Sequence, residues 1–358
     1  MSDSYAAAGV DISEADAGVR ALVEVLAGID PGRPSRVIPL PGHYASVVRV
    51  AEGVGIALCT DGVGSKLVVA EQTGRYREVG VDCVAMNVND LVCVGAEPLA
   101  LLDYLAVERA DPDALRAIAE GLRHGAEEAG VEIPGGELAQ VPELLRGHPS
   151  PRGFDLCASA IGVVSPEAVV SGAAIAPGDV LVGVPSTGVH SNGLTLARRA
   201  LLGDGGLALD DRPGELGGAT VADVLLEPTA IYVRAARDLL ASEVPVHGLA
   251  HITGGGLLNL LRLGDGVGYE IVDPLTPQPV FGLIAATGGV DRAEMHTVFN
   301  MGCGFVAVVA ADRASEAADV LAARHPGSRP IGHVTDRAGE VGCAPLGLIG
   351  DRSGLRPG

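Results

Sequence analysis

The chain has 358 residues, about 47% of them hydrophobic, with 45 acidic against 25 basic side chains and a formal net charge of −20. That length fits two domains of ordinary size, each able to bury a sizeable core. The charge argues against non-specific nucleic-acid binding, which needs a basic surface, and against an anionic membrane; it is read as a solubility device.

The opening MSDSYAAAGVDI has neither a basic n-region nor a long apolar run, so it does not read as a signal peptide. Residues 46–60 read as a hairpin turning at Glu52-Gly53, and its second strand ends at Asp61 and a glycine loop. Helical spacing of Val84, Val88, Leu91 and Val92 predicts a helix over 81–94, with Gly95 as its stop. A buried strand is expected at 98–107. Asp111-Pro112 then opens a helix that Gly130 ends. The stretch 81–107 is the most apolar long one, but Asn87, Asn89, Asp90, Glu97, Pro98 and Asp103 interrupt it, so it is no membrane span. A short strand at 131–134 is expected to lead into a Gly135-Gly136-Glu137 turn, and 154–164 forms another strand. Small residues, Pro and Gly at 165–178 mark a domain boundary, dividing the chain into 1–168 and 169–345 with a tail at 346–358. Beyond the boundary the pattern restarts. A strand is expected at 179–185, a loop at 186–193, and helices at 194–202 and 228–241. A glycine loop at 251–256 precedes a helix at 257–263, and a strand at 303–310 precedes a helix at 314–324. Residues 204–220 read as an exposed insert. Strands and helices alternate in both halves, so the class is α/β (α+β) with layered sheets.

Six cysteines (Cys59, Cys83, Cys93, Cys157, Cys303 and Cys343) form no C-x-x-C pair and sit mostly in apolar runs. They read as reduced core residues of a cytoplasmic protein. His247 and His251 are four apart but lack the context of a zinc pair.

Four glycine-rich stretches adjoin regular elements: Asp61–Lys66, Gly135–Glu137, Thr187–Gly193 and Thr253–Gly256. Glycine lets backbone approach a ligand, and free N–H groups ahead of a helix favour an anion. Four such loops beside carboxylates point to a phosphorylated ligand. Asp61 ends a strand, Asn87 and Asp90 share one flank of a helix, and Glu137 follows a glycine pair. Hard oxygen ligands on separate elements suit Mg²⁺ held jointly with phosphates. The basic residues include a single lysine, Lys66, which lies in the first glycine loop. His190, in Gly188-Val-His-Ser-Asn-Gly193, is a candidate for phosphate contact or proton transfer; Ser191 or Asn192 can cap the following helix. No Gly-Lys dipeptide, G-x-S-x-G elbow or kinase motif set occurs, so ATP would need another scaffold.

The segments SYAAAGVDI (4–12), TDGVGSKL (60–67), GVDCVAMNVNDLVCVGAEPLALLDY (80–104), GGELAQVPEL (135–144), GVHSNG (188–193), LLEPTAIYV (225–233), HITGGG (251–256) and FNMGCG (299–304) occur in this order. Together they resemble the AIR synthetase (phosphoribosylformylglycinamidine cyclo-ligase) family. The middle motifs are shared with selenophosphate synthetase, thiamine-phosphate kinase and a hydrogenase maturation factor. The resemblance implies an N-terminal α/β domain whose sheet joins its twin's in a barrel at a homodimer interface, beside a larger C-terminal α/β domain. It implies ATP-dependent ring closure of formylglycinamidine ribonucleotide in purine biosynthesis, with ATP and Mg²⁺ as cofactors and K⁺ as a further candidate. Asp61, Asp90 and Glu137 would hold Mg²⁺. Lys66 and the backbone of Gly62, Val63, Gly64 and Ser65 would meet the nucleotide, together with Asn87. The loops at His190, Ser191 and Asn192 and at Gly254, Gly255 and Gly256 would cradle substrate or phosphate. Lys66, His190 and Glu137 are the catalytic candidates.

Two departures stand out. Family members often carry a Gly-Gly-Phe-Gly-like loop where this chain reads Pro39-Leu-Pro-Gly-His-Tyr44. Gln140 replaces a second acid after the Gly-Gly-Glu run, which leaves Glu137 as the acid able to act there. Two alternatives stand beside the cyclo-ligase: another ATP-dependent enzyme of the superfamily, such as a small-molecule kinase or a selenophosphate synthetase, and a non-catalytic nucleotide-binding paralogue.

Overall fold

The computed structural model describes residues 12–203, 205–264 and 266–358. Residues 4–11 of the SYAAAGVDI segment lie outside them. Among the described residues helix α1 (Ile12–Ala27) comes first, and its described side chains, from Ala17 onward, are exposed. Six strands then form one sheet: β1 (Val37–Ile38), β2 (Ser46–Ala51), β3 (Val54–Gly62), β4 (Glu97–Val107), β5 (Glu132–Gln140) and β6 (Phe154–Val164), in the order β1-β2-β3-β6-β4-β5. A second sheet of eight contains β7 (Val180–Pro185), β8 (Val246–His251), β9 (Gly268–Ile271), β10 (Cys303–Val309), β11 (Arg329–Thr335), β12 (Val341–Cys343), β13 (Leu348–Asp351) and β14 (Gly354–Pro357). Its order is β14-β13-β12-β9-β11-β7-β10-β8. Residues 348–357, read from sequence as part of a tail, are an antiparallel hairpin at the edge of this sheet.

The first sheet has two unlike faces. Along β6 the residues alternate, with Leu156, Ala158 and Ala160 buried and Asp155, Ser159 and Ile161 exposed. Helices α2 (Lys66–Thr73), α3 (Arg77–Cys93) and α4 (Pro112–Ala129) belong to this half of the chain, and α3 packs against β3, β4 and β6. The opposite face exposes Leu58, Leu102, Tyr104 and Ile161.

Helix α3 is the centre of the molecule. Fourteen of its seventeen residues are buried, among them Asp82, Asn87 and Asn89. It starts one turn before the apolar spacing predicts, at Arg77. The reason is a glycine contact: a methyl group on Gly80 would collide with the Ile118 carbonyl of α4, and one on Gly121 with the Arg77 carbonyl. Backbone meets backbone at this crossing, so the first turn is held by packing that sequence periodicity does not record. α4 itself follows its local signals. Asp111 caps it through Asp113 and Ala114, and Gly130 closes it with φ 76°.

Two other expectations change. Helix α5 (Leu194–Leu202) lies where it is expected, but the helix expected at 228–241 is α7 (Val233–Ala241), preceded by the unforeseen short helix α6 (Val221–Leu226). Pro228 removes a donor and biases Glu227 away from helix, so 227–232 runs as a non-helical strap. Gly135-Gly136-Glu137 is no turn; it lies inside β5, which pairs in parallel with β4.

The glycine crossing yields a prediction. Gly121→Ala should destabilise the fold by about 1–3 kcal/mol through overpacking, read as a lowered urea midpoint. An unchanged midpoint would mean the helices separate without loss.

Candidate functional site

The single lysine is wholly internal. Lys66, at the start of α2, places its Nζ 2.7 Å from Asp82 Oδ2 of α3, with both side chains 0% exposed. The same ammonium donates to the Glu227 carbonyl at 2.6 Å. Asp82 Oδ1 accepts from the Thr229 N–H at 2.7 Å and from its hydroxyl at 2.6 Å. Two turns further along α3, Asn89 accepts from the Tyr232 N–H at 2.8 Å and donates to the Ala230 carbonyl at 2.9 Å. The strap 227–232 is thus fastened to α3 at both ends. The expectation that Lys66 meets a nucleotide is corrected. Its charge is neutralised inside the protein, and its donors face Asp82 and a main-chain carbonyl.

Asp61 and Asp90 do come together. Asp61 sits near the end of β3, where its N–H donates to Asn87 Oδ1 at 3.0 Å and its carbonyl accepts from Asn87 Nδ2 at 3.1 Å. Asn87 therefore aligns the strand on the helix, a positioning role in place of the expected nucleotide contact. Asp90, one turn on, is half-buried and bonds His251 Nδ1 at 2.9 Å through Oδ1. Burial raises the Asp61 carboxyl pKa, and the charge of Asp90 raises it further. Two acids facing one cleft and repelling each other form a site that a divalent cation would relieve.

Glycine loops surround this pair. Gly64 (φ 72°) and Gly254 are exposed. A methyl group on Gly64 would stand 3.9 Å from the Ser191 carbonyl, and one on Gly254 would stand 3.2 Å from Asn192 Oδ1. Ser65 Oγ lies 2.9 Å from Thr195 Oγ1, and Ser191 Oγ lies 3.2 Å from Thr229 Oγ1. Val63 is buried and Gly62 half-buried. The loops at 61–66, 188–193 and 253–256 meet although long stretches of chain separate them. Gly255 (φ 103°) and Gly256 (φ 54°) have left-handed backbone, and a methyl on Gly256 would strike the His296 carbonyl.

His190 is not an open acid–base group. It is 2% exposed, and its Nε2 accepts from the Thr187 N–H at 3.1 Å. Burial above all, with the nearby Lys66 ammonium adding to it, holds its pKa well below the usual histidine range. It is a neutral imidazole that braces its own loop, with φ 62°. The proton-transfer expectation is corrected accordingly.

Glu137 is also elsewhere. Strand register places it beside Tyr104, Cys157 and Gly62, whereas Asp61 aligns with Ala158, Asp103 and Gly136. Registered residues share a face, so Glu137 lies on the open face and Asp61 on the helix-covered one. Three interstrand spacings, about 14 Å, separate β5 from β3. Among the described residues no three His, Cys, Asp or Glu side chains gather as a metal cluster. Asp103 shares the face of Asp61 but stands two strands away, about 10 Å.

Sequence reasoning missed Asp82, Asn89 and His251 as site residues. Asp82 and Asn89 left a faint signal, as polar residues inside an otherwise apolar helix. His251 was weighed only as a zinc ligand.

The family model "AIR synthase related protein, N-terminal domain" matches residues 42–164, and "AIR synthase related protein, C-terminal domain" matches 176–343. A phosphoribosylformylglycinamidine cyclo-ligase of Methanothermobacter thermautotrophicus is 48% identical over 339 residues, 94% of this chain and 96% of that protein. One from Thermococcus kodakarensis is 44% identical over 344 residues, again 94% and 96%. Among solved structures, AaThiL complexed with AMPPCP and TMP superposes with a TM-score of 0.63 at 16% identity, covering 91% of this chain and 92% of that one. The hydrogenase maturation protein HypE in complex with ATP gives 0.60 at 22% identity, covering 86% of each. Both share the fold.

Two outcomes follow from the buried polar groups. Lys66→Met should destabilise by about 3–5 kcal/mol because it strands Asp82, and adding Asp82→Leu should recover much of that loss in urea unfolding. A single-variant loss below about 1 kcal/mol would contradict the pairing. Stability should also fall as pH falls from 7.5 to 5.5. Burial holds His190 well below the usual range and His43 at about 4, so both stay neutral in the fold, while the unfolded chain protonates them below about 6.5. A urea midpoint that rises or stays level over that window would refute this.

Proposed function

We propose a function on one premise: this chain belongs to the AIR synthase related family. Within it the chain acts as a phosphoribosylformylglycinamidine cyclo-ligase, an ATP-dependent ligase that forms a ring C–N bond in purine biosynthesis. The observation that carries this reading is the 48% identity to a cyclo-ligase over nearly the whole of both chains.

The substrate is formylglycinamidine ribonucleotide, and its amide oxygen is a poor leaving group. ATP phosphorylates that oxygen, giving an iminophosphate and ADP. The amidine nitrogen attacks the activated carbon, the C–O bond breaks, and phosphate departs as the imidazole ring closes. The proton released at nitrogen is taken by the departing phosphate. This chemistry asks the protein for positioning and charge compensation more than for a covalent partner.

Asp61 and Asp90 are the residues to hold Mg²⁺, which when bound supplies positive charge beside the phosphates. The repulsion that raises the Asp61 carboxyl supports that assignment. His251 orients Asp90. Main-chain N–H groups of Gly64, Ser65, Gly254 and Gly255 are the donors for phosphate oxygens, and the glycines allow that close approach; those of Gly62, Val63 and Gly256 already donate to Asp61 Oδ1, the Leu156 carbonyl and the Thr253 carbonyl, so the expected contacts there are corrected. Asn192, half-buried between the two loops, faces the same cleft.

A homodimer through the first sheet is part of this reading. Leu102 (55% exposed), Tyr104 (43%), Leu58 (41%) and Ile161 (40%) make a continuous apolar face that a monomer would leave in water. A second copy covering it would also bring Glu137 into an interface. Leu102→Asp should then convert a dimer to a monomer in sedimentation; a wild-type monomer would refute the dimer.

Purified protein with ATP, Mg²⁺ and formylglycinamidine ribonucleotide should release ADP and aminoimidazole ribonucleotide in equal amounts. ADP without the imidazole product would favour a kinase-like relative, and ATP binding with neither product a non-catalytic paralogue. Asp90→Asn should lower turnover by about 100-fold or more with the fold retained. Full activity would remove Asp90 from the site.

A further inference from the structure

The loop 39–44 and the turn Gly256–Arg262 lie far apart in sequence, yet one arginine joins them. Arg262 Nε donates to the Gly42 carbonyl at 2.9 Å and Nη2 to the His43 carbonyl at 3.4 Å. Its guanidinium lies over the Tyr44 ring, 4.2 Å from the centroid. Tyr44 is buried, and its hydroxyl donates to the Asn259 carbonyl at 3.2 Å. The Asn259 side chain accepts from the Thr253 N–H at 2.8 Å and donates to the Gly254 carbonyl at 3.2 Å. One connected path therefore runs from the 39–44 loop to the glycine loop 253–256.

The path borders the cleft. The charge of Arg262 acts on both Asp61 and His43, and that of Asp90 on His43. The loop has one turn hydrogen bond of its own, from the His43 N–H to the Leu40 carbonyl at 3.2 Å. Both ring nitrogens of His43 are buried without a hydrogen-bond partner, which opposes closure. The arginine fork and its stacking on Tyr44 are what offset this. A lysine could supply the charge but neither the fork nor the planar stack.

We propose that Arg262 is a positioning residue: it fixes the 39–44 loop as a rigid wall of the cleft and, through Tyr44 and Asn259, sets the glycine loop 253–256 for a nucleotide's phosphates. This rests on the reading that the cleft takes ATP. It also gives the altered Pro39–Tyr44 segment a role, as a clamped wall in place of a glycine-rich loop.

The test is hydrogen exchange on the full chain, wild type against Arg262→Ala and Arg262→Lys, with calorimetric titration of Mg·ATP on each. Exchange in the peptide spanning 39–44 and at the Thr253 amide should rise at least tenfold in both variants, and ATP affinity should fall about tenfold. Adding His43→Leu to Arg262→Ala should restore part of the loop's protection, since the unpaired nitrogens are gone. Should Arg262→Ala fail to fold, Tyr44→Phe cuts only the link to Asn259 and should raise exchange at Thr253 alone. Unchanged exchange in the variants overturns the proposal, as does full rescue by lysine, which would leave only a charge effect. If the wild type binds ATP but forms no imidazole product, the cyclo-ligase reading falls while exchange and affinity still judge Arg262.

Discussion

A single buried ion pair ties the two halves of the chain together. Lys66 and Asp82 both belong to the first half, but their remaining hydrogen-bonding capacity goes to Glu227 and Thr229 of the second. A buried charge is tolerable only when paired and hydrogen-bonded, so the strap 227–232 is compelled to lie along α3. Asn89 repeats the arrangement two turns later with Ala230 and Tyr232. Everything at the cleft depends on this register. The loop 188–193 packs beside the strap, as Ser191 shows by meeting Thr229. The register acts together with the Ser65–Thr195 and Asp90–His251 contacts, which also join the glycine loops of the two halves.

With that register set, the cleft has an electrostatic logic. Asp61 and Asp90 are the half-buried acids that stay near one another, while the lysine that might have neutralised them is turned inward. The neighbouring groups His251 and Arg262 are engaged with Asp90 and with the Gly42 and His43 carbonyls respectively. The acids are therefore held under mutual repulsion, and the glycine loops opposite present main-chain donors. An arrangement of excess negative charge facing free N–H groups suits a cation together with phosphates, since each component compensates what the other lacks.

The corrections share one cause. Lys66, His190 and Glu137 were singled out because a charged or titratable residue next to glycine is a frequent ligand contact. The direction in which each side chain points is not a local property. Glu137 lies one residue from Gly136, which registers with Asp103 on the helix-covered face, and strand alternation turns Glu137 to the other face. His190 lies one residue from Ser191, yet its imidazole turns inward to Thr187. The strand at 154–164, the cap at Asp111, the stop at Gly130 and the hairpin at 46–60 were all legible, because each follows from residues close by in the chain.

What the sequence by itself determined is the order of elements, the family, and the glycine loops with their adjoining acids, since these depend on local periodicity, turn chemistry and motif order. Only the tertiary structure decided which of those acids share a cleft and which basic groups are consumed in holding it together. The physical reason is the difference between local and long-range free energy. A cap or an alternating strand is stabilised by its neighbours in the chain. The partners of Lys66, Asn89, Tyr44 and Arg262 lie from 141 to 220 residues away, and no pattern in the intervening sequence encodes where those groups will meet.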